Sequence, residues 1–284
     1  MHTFDIFDTL ITRTTARPEG IFLLMEEKLR RMEEYVPYLR ENFHDLRKGA
    51  EELARLQARE EGKEEVTLDE IYRALATTAS LRDGQQEALK KLEEETEYEN
   101  ILPIPANIRL LKQYQKQGEH IALISDMYLP PQTICGLLKK AAPALTGIPL
   151  YVSCAYGKTK GSGGLFGVVK IREQASCEHW THHGDNLHGD AEVPQRLGIT
   201  ASPLPWEGLK EYEHPEQDAY SQLSAGASVR VRSETVCTAA GETGSSFAGP
   251  ILYPYVRWVL EESIKRGINR LYFIARDGWI LYRM

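Results

Sequence analysis

Two carboxylates three residues apart, Asp5 and Asp8, close a short apolar run near the start of the chain, and Thr9 follows at once. Later strand-like segments likewise end in polar groups. Ser125-Asp126 follows residues 120–124, Lys160 sits in a glycine-rich turn after residues 149–153, and Asp185-Asn186 follows residues 179–183. Apolar runs of this length, bounded by turn residues, read as buried strands. In parallel α/β sheets ligands bind at the C-terminal ends of the strands, so these side chains would converge on one edge. An anionic pair, a hydroxyl and an ammonium together suit an anionic oxygen substrate. Ser125 and Lys160 would hold phosphoryl oxygens, whereas the aspartates would repel phosphate unless a hard cation lay between them. Magnesium meets that need with oxygen ligands. Asp5 would then be free to attack phosphorus and form an aspartyl-phosphate. The plainer alternative is a capped turn, because Asp and Thr favour turns.

Convergence requires helices between the strands, and the spacing supplies them. Residues 107–117 read as a helix stopped by Gly118, and Pro130 and Pro131 open another that runs through Leu138. Residues 165–174 and 190–197 are helical in pattern, and residues 199–201 begin a fifth strand. Alternation of this kind predicts a parallel sheet covered on both faces. Residues 13–100 differ. Phe22, Met25, Leu29, Met32 and Val36 recur at steps of three and four, as do Leu39, Phe43, Leu46, Ala50 and Leu53. Thr67-Leu68-Asp69-Glu70 has the form of a capping box, and a further helix follows Asp83. The acidic stretches here, Glu60-Glu61 and Glu93-Glu94-Glu95 among them, read as solvated faces. A long helical block is thus inserted after the first strand.

The chain resembles the haloacid dehalogenase-like (HAD) superfamily. The resemblance rests on segments in order: Phe4-Asp5-Ile6-Phe7-Asp8-Thr9-Leu10, Leu123-Ile124-Ser125-Asp126, Lys160 before Gly163-Gly164-Leu165-Phe166, and Gly184-Asp185-Asn186-Leu187-His188-Gly189-Asp190. It implies a HAD-type Rossmann-like sheet over residues 1–205, with core segments 1–12 and 101–205 and an all-helical cap at 13–100. It implies a nucleophilic Asp5, magnesium between Asp5, the Phe7 backbone carbonyl and Asp185, and phosphate contacts from Ser125 and Lys160. Asp190 resembles the second acid of the last motif, which supports the lysine or the metal shell; Thr9 and Asn186 are expected as supporting residues. One position departs from the pattern. Phosphatases of this family usually carry a second aspartate two residues after the nucleophile, and Phe7 stands there. Asp8 comes one residue later, and because strand side chains alternate in direction, it replaces the missing acid only if the backbone turns. An aromatic residue here also resembles the metal-independent dehalogenases of the superfamily. The favoured reading is a magnesium-dependent phosphatase of a small phosphorylated metabolite, with a sugar phosphate as one candidate. A 2-haloacid dehalogenase is an alternative.

Composition bounds the rest. With 284 residues, 42% hydrophobic and 26% charged, the chain has the make-up of an ordinary globular protein. Its net charge of −7 argues against a nucleic-acid or anionic-membrane partner. There is no apolar stretch of membrane-spanning length and no signal-peptide pattern. Cys135, Cys154, Cys177 and Cys237 are scattered without a Cys-x-x-Cys pair, which fits a reducing, cytoplasmic setting. Cys177, His179, His182, His183 and His188 are dense enough to suggest zinc, but adjacent histidines on a strand point to opposite faces. The run Gly161-Ser162-Gly163-Gly164 is not a P-loop, since no Gly-Lys-Ser/Thr follows. Residues 206–246, rich in Ser, Gly and Ala, read as a linker. Residues 250–266 read as a helix and 271–275 as a buried strand ending in Arg276-Asp277-Gly278, so that 247–284 is expected to open a second α/β domain that the chain does not complete. Some larger HAD-like proteins resemble this layout, with a similar Arg-Asp-Gly segment in a second half, and some of them occur alongside glycan-assembly enzymes. That resemblance implies a further alternative, a weakly catalytic binding or scaffold module.

Overall fold

The computed structural model describes residues 1–206, 208–234 and 238–283; Cys237 lies outside the described residues. The first apolar run is a strand only over β1 (His2–Phe4), after which the chain turns sharply and leaves as β2 (Ile11–Arg13). The helical block follows as α1 (Gly20–Leu29), α2 (Pro37–Glu41), α3 (Phe43–Glu60), α4 (Leu68–Thr78) and α5 (Gln85–Glu99). β3 (Ile101–Pro103) then pairs antiparallel with β2, so the block stands on a two-stranded stem that the apolar pattern had not suggested. Thr67 and Glu70 form the expected capping box at the start of α4. The first helix stops at Leu29 and does not run on to Val36, which is extended directly before Pro37, the residue that opens α2.

The alternating part comprises α6 (Pro105–Lys116), β4 (Ile121–Ser125), α7 (Pro131–Ala141), β5 (Leu150–Val152), α8 (Ser153–Tyr156), α9 (Gly164–Arg172), β6 (Thr181–Gly184), α10 (Val193–Arg196) and β7 (Thr200–Pro203). The strands form one parallel sheet in the order β5-β4-β1-β6-β7. Strand alternation sorts the core into two layers. Phe4, Leu123 and Val152 join Leu111, Ile134 and Leu137 from α6 and α7, in a cluster continuous with the helical insertion. Ala122 and Ile124 face the other way, against Leu165, Phe166 and Val169 of α9 and Val193 of α10. Both faces are therefore covered, and only the strand ends are left for chemistry.

Beyond the sheet the structure departs from the expected linker. Within residues 206–246, α11 (Ala219–Glu234) is a helix docked on the cap stem, where the Ala16 N–H donates to the Gln222 carbonyl at 3.0 Å. The small residues serve packing: a Cβ at Gly226 would stand 2.1 Å from the Thr14 carbonyl oxygen, so only glycine permits this approach. α12 (Ala239–Thr243) and α13 (Gly249–Lys265) follow, and α14 (Trp279–Arg283) ends the described chain. Residues 271–275, expected as a buried strand, join neither sheet, and Tyr272 and Ile274 are each 83% exposed. A strand needs a neighbour to satisfy its backbone groups, and residues 271–275 pair with neither edge strand, β5 or β7.

Candidate active site

Asp5 is the first residue past the central strand, and its N–H still donates to the His183 carbonyl of β6 at 2.8 Å. That bond holds the carboxylate at the sheet edge. Its Oδ1 accepts from Lys160 Nζ at 2.5 Å, and the same ammonium donates to Asp190 Oδ1 at 2.6 Å. The lysine is only 4% exposed, so both contacts are made away from water. Its backbone is fixed by Asp126, whose Oδ1 accepts the Lys160 N–H at 2.7 Å. Asp126 directly follows Ser125, the buried last residue of β4, so the turns bearing Ser125 and Lys160 are tied together.

Asp190 lies in a π-helical turn, Leu187–Glu192, that Asn186 caps by accepting the Gly189 N–H at 2.8 Å. Both Asp190 oxygens are engaged. Oδ1 also meets His182 Nε2 at 3.0 Å, and Oδ2 accepts the Asn186 N–H at 3.1 Å. A Cβ on Gly184 would stand 2.4 Å from the Asp190 carboxyl carbon, so the glycine of the last motif makes room for this carboxylate. His182 Nδ1 faces Thr3 Oγ1 at 2.8 Å, and Thr3 Oγ1 accepts from Trp180 Nε1 at 2.7 Å. An indole N–H only donates, so the Thr3 proton is left for Nδ1 and the His182 proton lies on Nε2, toward Asp190. Burial keeps His182 neutral by lowering its pKa. A buried relay thus runs Trp180–Thr3–His182–Asp190–Lys160–Asp5.

Asp185, just past β6, accepts from Thr9 Oγ1 at 3.2 Å. Asp5, Asp185 and Asp190 each bring a carboxylate oxygen within 4.8 Å of the others. Burial, reinforced by Asp190 and Asp185 and opposed by Lys160, raises the Asp5 carboxyl to about 8. Burial, with Asp8 and Asp190, raises Asp185 to about 6. For Asp190 burial pulls upward, but Lys160 and His182 hold it below the usual carboxylate range. Burial works against the Lys160 charge, but Asp5, Asp190 and Asp126 hold its pKa above the ordinary value. One ammonium does not balance three carboxylates. A hard divalent cation fits this donor set, with Asp5 and Asp185 as the carboxylates not already fully engaged.

The backbone does turn at Asp8, which has φ +57°, a left-handed conformation uncommon for a non-glycine residue. Thr12 Oγ1 donates to Asp8 Oδ1 at 2.7 Å, and Asp8 is near enough to Asp185 for its charge to raise that carboxyl. Phe7 is instead packed beneath Arg13, whose guanidinium carbon lies 4.4 Å from the ring centroid. The histidine-rich segment does not gather a metal. His182 faces Asp190, whereas His183 is on the opposite side, stacked on Phe4 at 4.3 Å and bonded to His2 at 2.9 Å.

Asp5 follows the central strand, Ser125 and Asp185 lie at the ends of its two neighbours, Lys160 contacts Asp5, and a helical insertion stands on a two-stranded stem after the first strand. The fold is HAD-like. No family model matches the chain, nor does any curated protein. Solved structures similar to it include an L-2-haloacid dehalogenase from Xanthobacter autotrophicus with chloropropionic acid covalently bound, 14% identical, with a TM-score of 0.49 over 86% of this chain and 86% of that one. Another is a HAD family enzyme from Bacteroides thetaiotaomicron in complex with magnesium and inorganic phosphate, 15% identical, with a TM-score of 0.47 over 75% of this chain and 96% of that one. At these identities and scores, the chemistry of this HAD-like chain has to rest on its own residues.

Two features of the edge were not evident from residue types. Asp126 was visible beside Ser125, but not its hold on the Lys160 backbone, and His182 was weighed as a zinc ligand while it braces Asp190. A cavity of about 100 Å³ lies beside Asp8, bordered by Thr12, Arg13, Arg17, Trp206 and Gly226. Helix α11, through Gly226 and Val229, therefore walls a space next to Asp8.

Proposed function

We propose that this chain is a magnesium-dependent phosphatase of small phosphorylated metabolites, acting through an aspartyl-phosphate on Asp5. The observation that carries the reading is the buried Lys160 ammonium held between Asp5 and Asp190 at the strand ends, where carboxylates outnumber cations. Asp5, Asp185 and the Phe7 backbone carbonyl would hold magnesium; when bound, it supplies the positive charge that lets an anionic phosphoryl group approach two aspartates. Lys160 and the Ser125 hydroxyl donate to phosphoryl oxygens. Asp190, with His182 and Asn186 behind it, keeps the ammonium in place. The Asp5 carboxylate attacks phosphorus, the bond to the leaving oxygen breaks, and Asp8 gives that oxygen its proton. Asp8 then takes a proton from water, whose oxygen attacks phosphorus and releases Asp5 and inorganic phosphate. Thr9 orients Asp185 by its hydrogen bond.

The cavity beside Asp8 suits a small leaving group, and a phosphorylated sugar is one candidate. A panel of phosphate esters, assayed with magnesium and with chelator, tests the reading: turnover is expected with magnesium and lost on chelation. Phe7 favours one rival. Metal-independent release of halide from a 2-haloacid, with no phosphate-ester turnover, would establish the dehalogenase. Absence of both activities would leave a binding or scaffold module.

A further inference from the structure

The loop between α3 and α4 reaches from the helical insertion to the edge of the sheet. Glu64 in this loop accepts from Lys158 Nζ at 2.6 Å through Oε1. Its Oε2 accepts from the Thr159 backbone N–H at 3.1 Å and from the Ser162 hydroxyl at 2.5 Å. These three residues bracket Lys160 on both sides. The next residue, Glu65, is buried and takes the Ser153 hydroxyl at 3.0 Å; Ser153 Oγ in turn accepts the Met127 N–H at 2.8 Å. Adjacent carboxylates of the insertion thus grip the turn that bears Lys160 and the turn that follows Ser125.

The Lys160 turn therefore has two carboxylate anchors of different origin. Asp126, from the core, holds the backbone N–H groups of Lys160 and Gly161, at 2.7 and 3.4 Å. Glu64, from the insertion, holds the residue before Lys160 and the second residue after it. We propose that Glu64 is a positioning residue that seats the helical insertion on the Lys160 turn and thereby sets the ammonium between Asp5 and Asp190. Hydrogen bonds from Lys158 and Ser162 hold the Glu64 carboxyl down at about 2, so it stays an acceptor across the neutral range. The Glu64–Lys158 pair is partly exposed, at 29% and 47%, so this grip can release and re-form without stranding a buried charge. A fully buried pair at the same place would lock the insertion down. The arrangement instead makes Lys160 fully anchored only while the insertion is seated, which links closure over the site to the geometry of its one buried ammonium.

The activity arm of the test rests on the phosphatase reading; the exchange arm does not. The full chain is compared as wild type, Glu64→Ala, Glu64→Gln and the control Ser153→Ala, which breaks the Glu65 and Met127 contacts and leaves Glu64 in place. Hydrolysis of phenyl phosphate with magnesium and amide hydrogen exchange over residues 158–163 are both measured. Because small misplacements of a catalytic group cost about 10–100-fold, Glu64→Ala should lower kcat by roughly that factor, with a smaller change in KM. It should also speed exchange at Thr159 and Gly161. Glu64→Gln keeps an oxygen for Thr159 and Ser162 and should recover most of both readouts, while Ser153→Ala leaves kcat near wild type. If Glu64→Ala does not fold, Lys158→Met, which breaks the same contact from the core side, carries the same expectation of local deprotection. Wild-type exchange over 158–163 in the Glu64→Ala or Lys158→Met chain overturns the proposal, as does an equal loss of kcat in Ser153→Ala. If the wild type hydrolyses no phosphate ester, the phosphatase reading falls, and the exchange comparison alone decides for or against Glu64.

Discussion

The protein buries charge in two places and treats it in opposite ways. Inside the helical insertion, Arg47 is fully buried and forms a paired contact with Glu93, Nε to Oε2 at 2.7 Å and Nη2 to Oε1 at 2.8 Å. Tyr72 donates to the same carboxylate at 2.6 Å, and the guanidinium lies 4.5 Å from the Phe22 ring centroid. Nearby, Arg13 and Glu97 repeat the fork at 2.8–3.0 Å. Both of these guanidinium groups meet a carboxylate. At the sheet edge Asp5, Asp185 and Asp190 crowd around Lys160 alone, and two of the three are pushed up in pKa. A buried cluster that balances its own charge is a packing device; one left short of cations is arranged for something that arrives. Both clusters are largely buried, so burial does not separate structure from function, but charge balance does.

Removing one member from each cluster should give mirror-image results. Asp5→Asn should cut phosphate-ester turnover on the order of 10⁴-fold or more. Its melting temperature should hold or rise, because one crowded carboxylate is gone. Glu93→Ala should do the reverse and cost a few kcal/mol in urea unfolding, since it leaves the buried Arg47 with only the Glu51 carboxylate at 3.1 Å, while the folded fraction keeps its kcat. A destabilised Asp5→Asn chain that still turns over substrate would reverse the contrast and the roles drawn from it.

The contrast also explains what could be read from residue types alone. The strand-end placement was legible because a parallel sheet puts Asp5, Ser125 and Asp185 on one edge whatever the intervening lengths. The capping box at Thr67 and Glu70 was legible because it is local. Long-range polar pairing was not. Glu93 read as part of a solvated acidic run, yet it is the buried partner of a residue 46 positions away. The Ser/Gly/Ala-rich stretch read as a linker because small residues suit loops, and the same residues let α11 approach the stem; only the contact at Thr14 tells the two apart. The turn at Asp8 was a condition that residue types could pose but not answer. It depends on a left-handed backbone held between the Thr12 hydroxyl and the Ile11 carbonyl, which accepts the Asp8 N–H at 2.7 Å.

Asp8 sharpens the comparison within the site itself. General acid catalysis contributes about 10²–10⁴-fold, so Asp8→Asn should slow alkyl phosphates by roughly that factor. Aryl or acyl phosphates, whose leaving groups need no proton, should be nearly unaffected. Phe7→Asp in the Asp8→Asn background should restore little, because the Phe7 ring is packed under Arg13. A uniform loss on both substrate classes would remove Asp8 from the proton-transfer role. Full recovery through Phe7→Asp would return that role to the usual position.

The smallest expected effect is on stability, and it follows from the missing positive charge. Asp5 and Asp185 bind their protons up to about pH 8 and about pH 6 in the folded chain, against an ordinary carboxylate value near 4. Between about pH 4 and 8 these two groups therefore hold more protons in the cation-free folded state than in the unfolded one. Stability from these groups is present at the acid end and is lost as pH rises through the two folded values. Asp190 runs the other way below the usual carboxylate range. Burial of His2, His182 and His183 lowers their values and opposes the trend up to the ordinary histidine value of about 6.5, so the fall stands clear between about pH 6.5 and 8. Melting curves of the chelated protein should fall in midpoint across this window, and magnesium at the alkaline end should restore most of the loss. Asp185→Asn should flatten the slope and blunt the magnesium response together, since one side chain contributes to both, whereas Glu93→Ala should lower every curve without changing its slope. A midpoint that stays level or rises with pH in chelator would show that Lys160 alone balances the three carboxylates, and the contrast between the two buried clusters would then disappear.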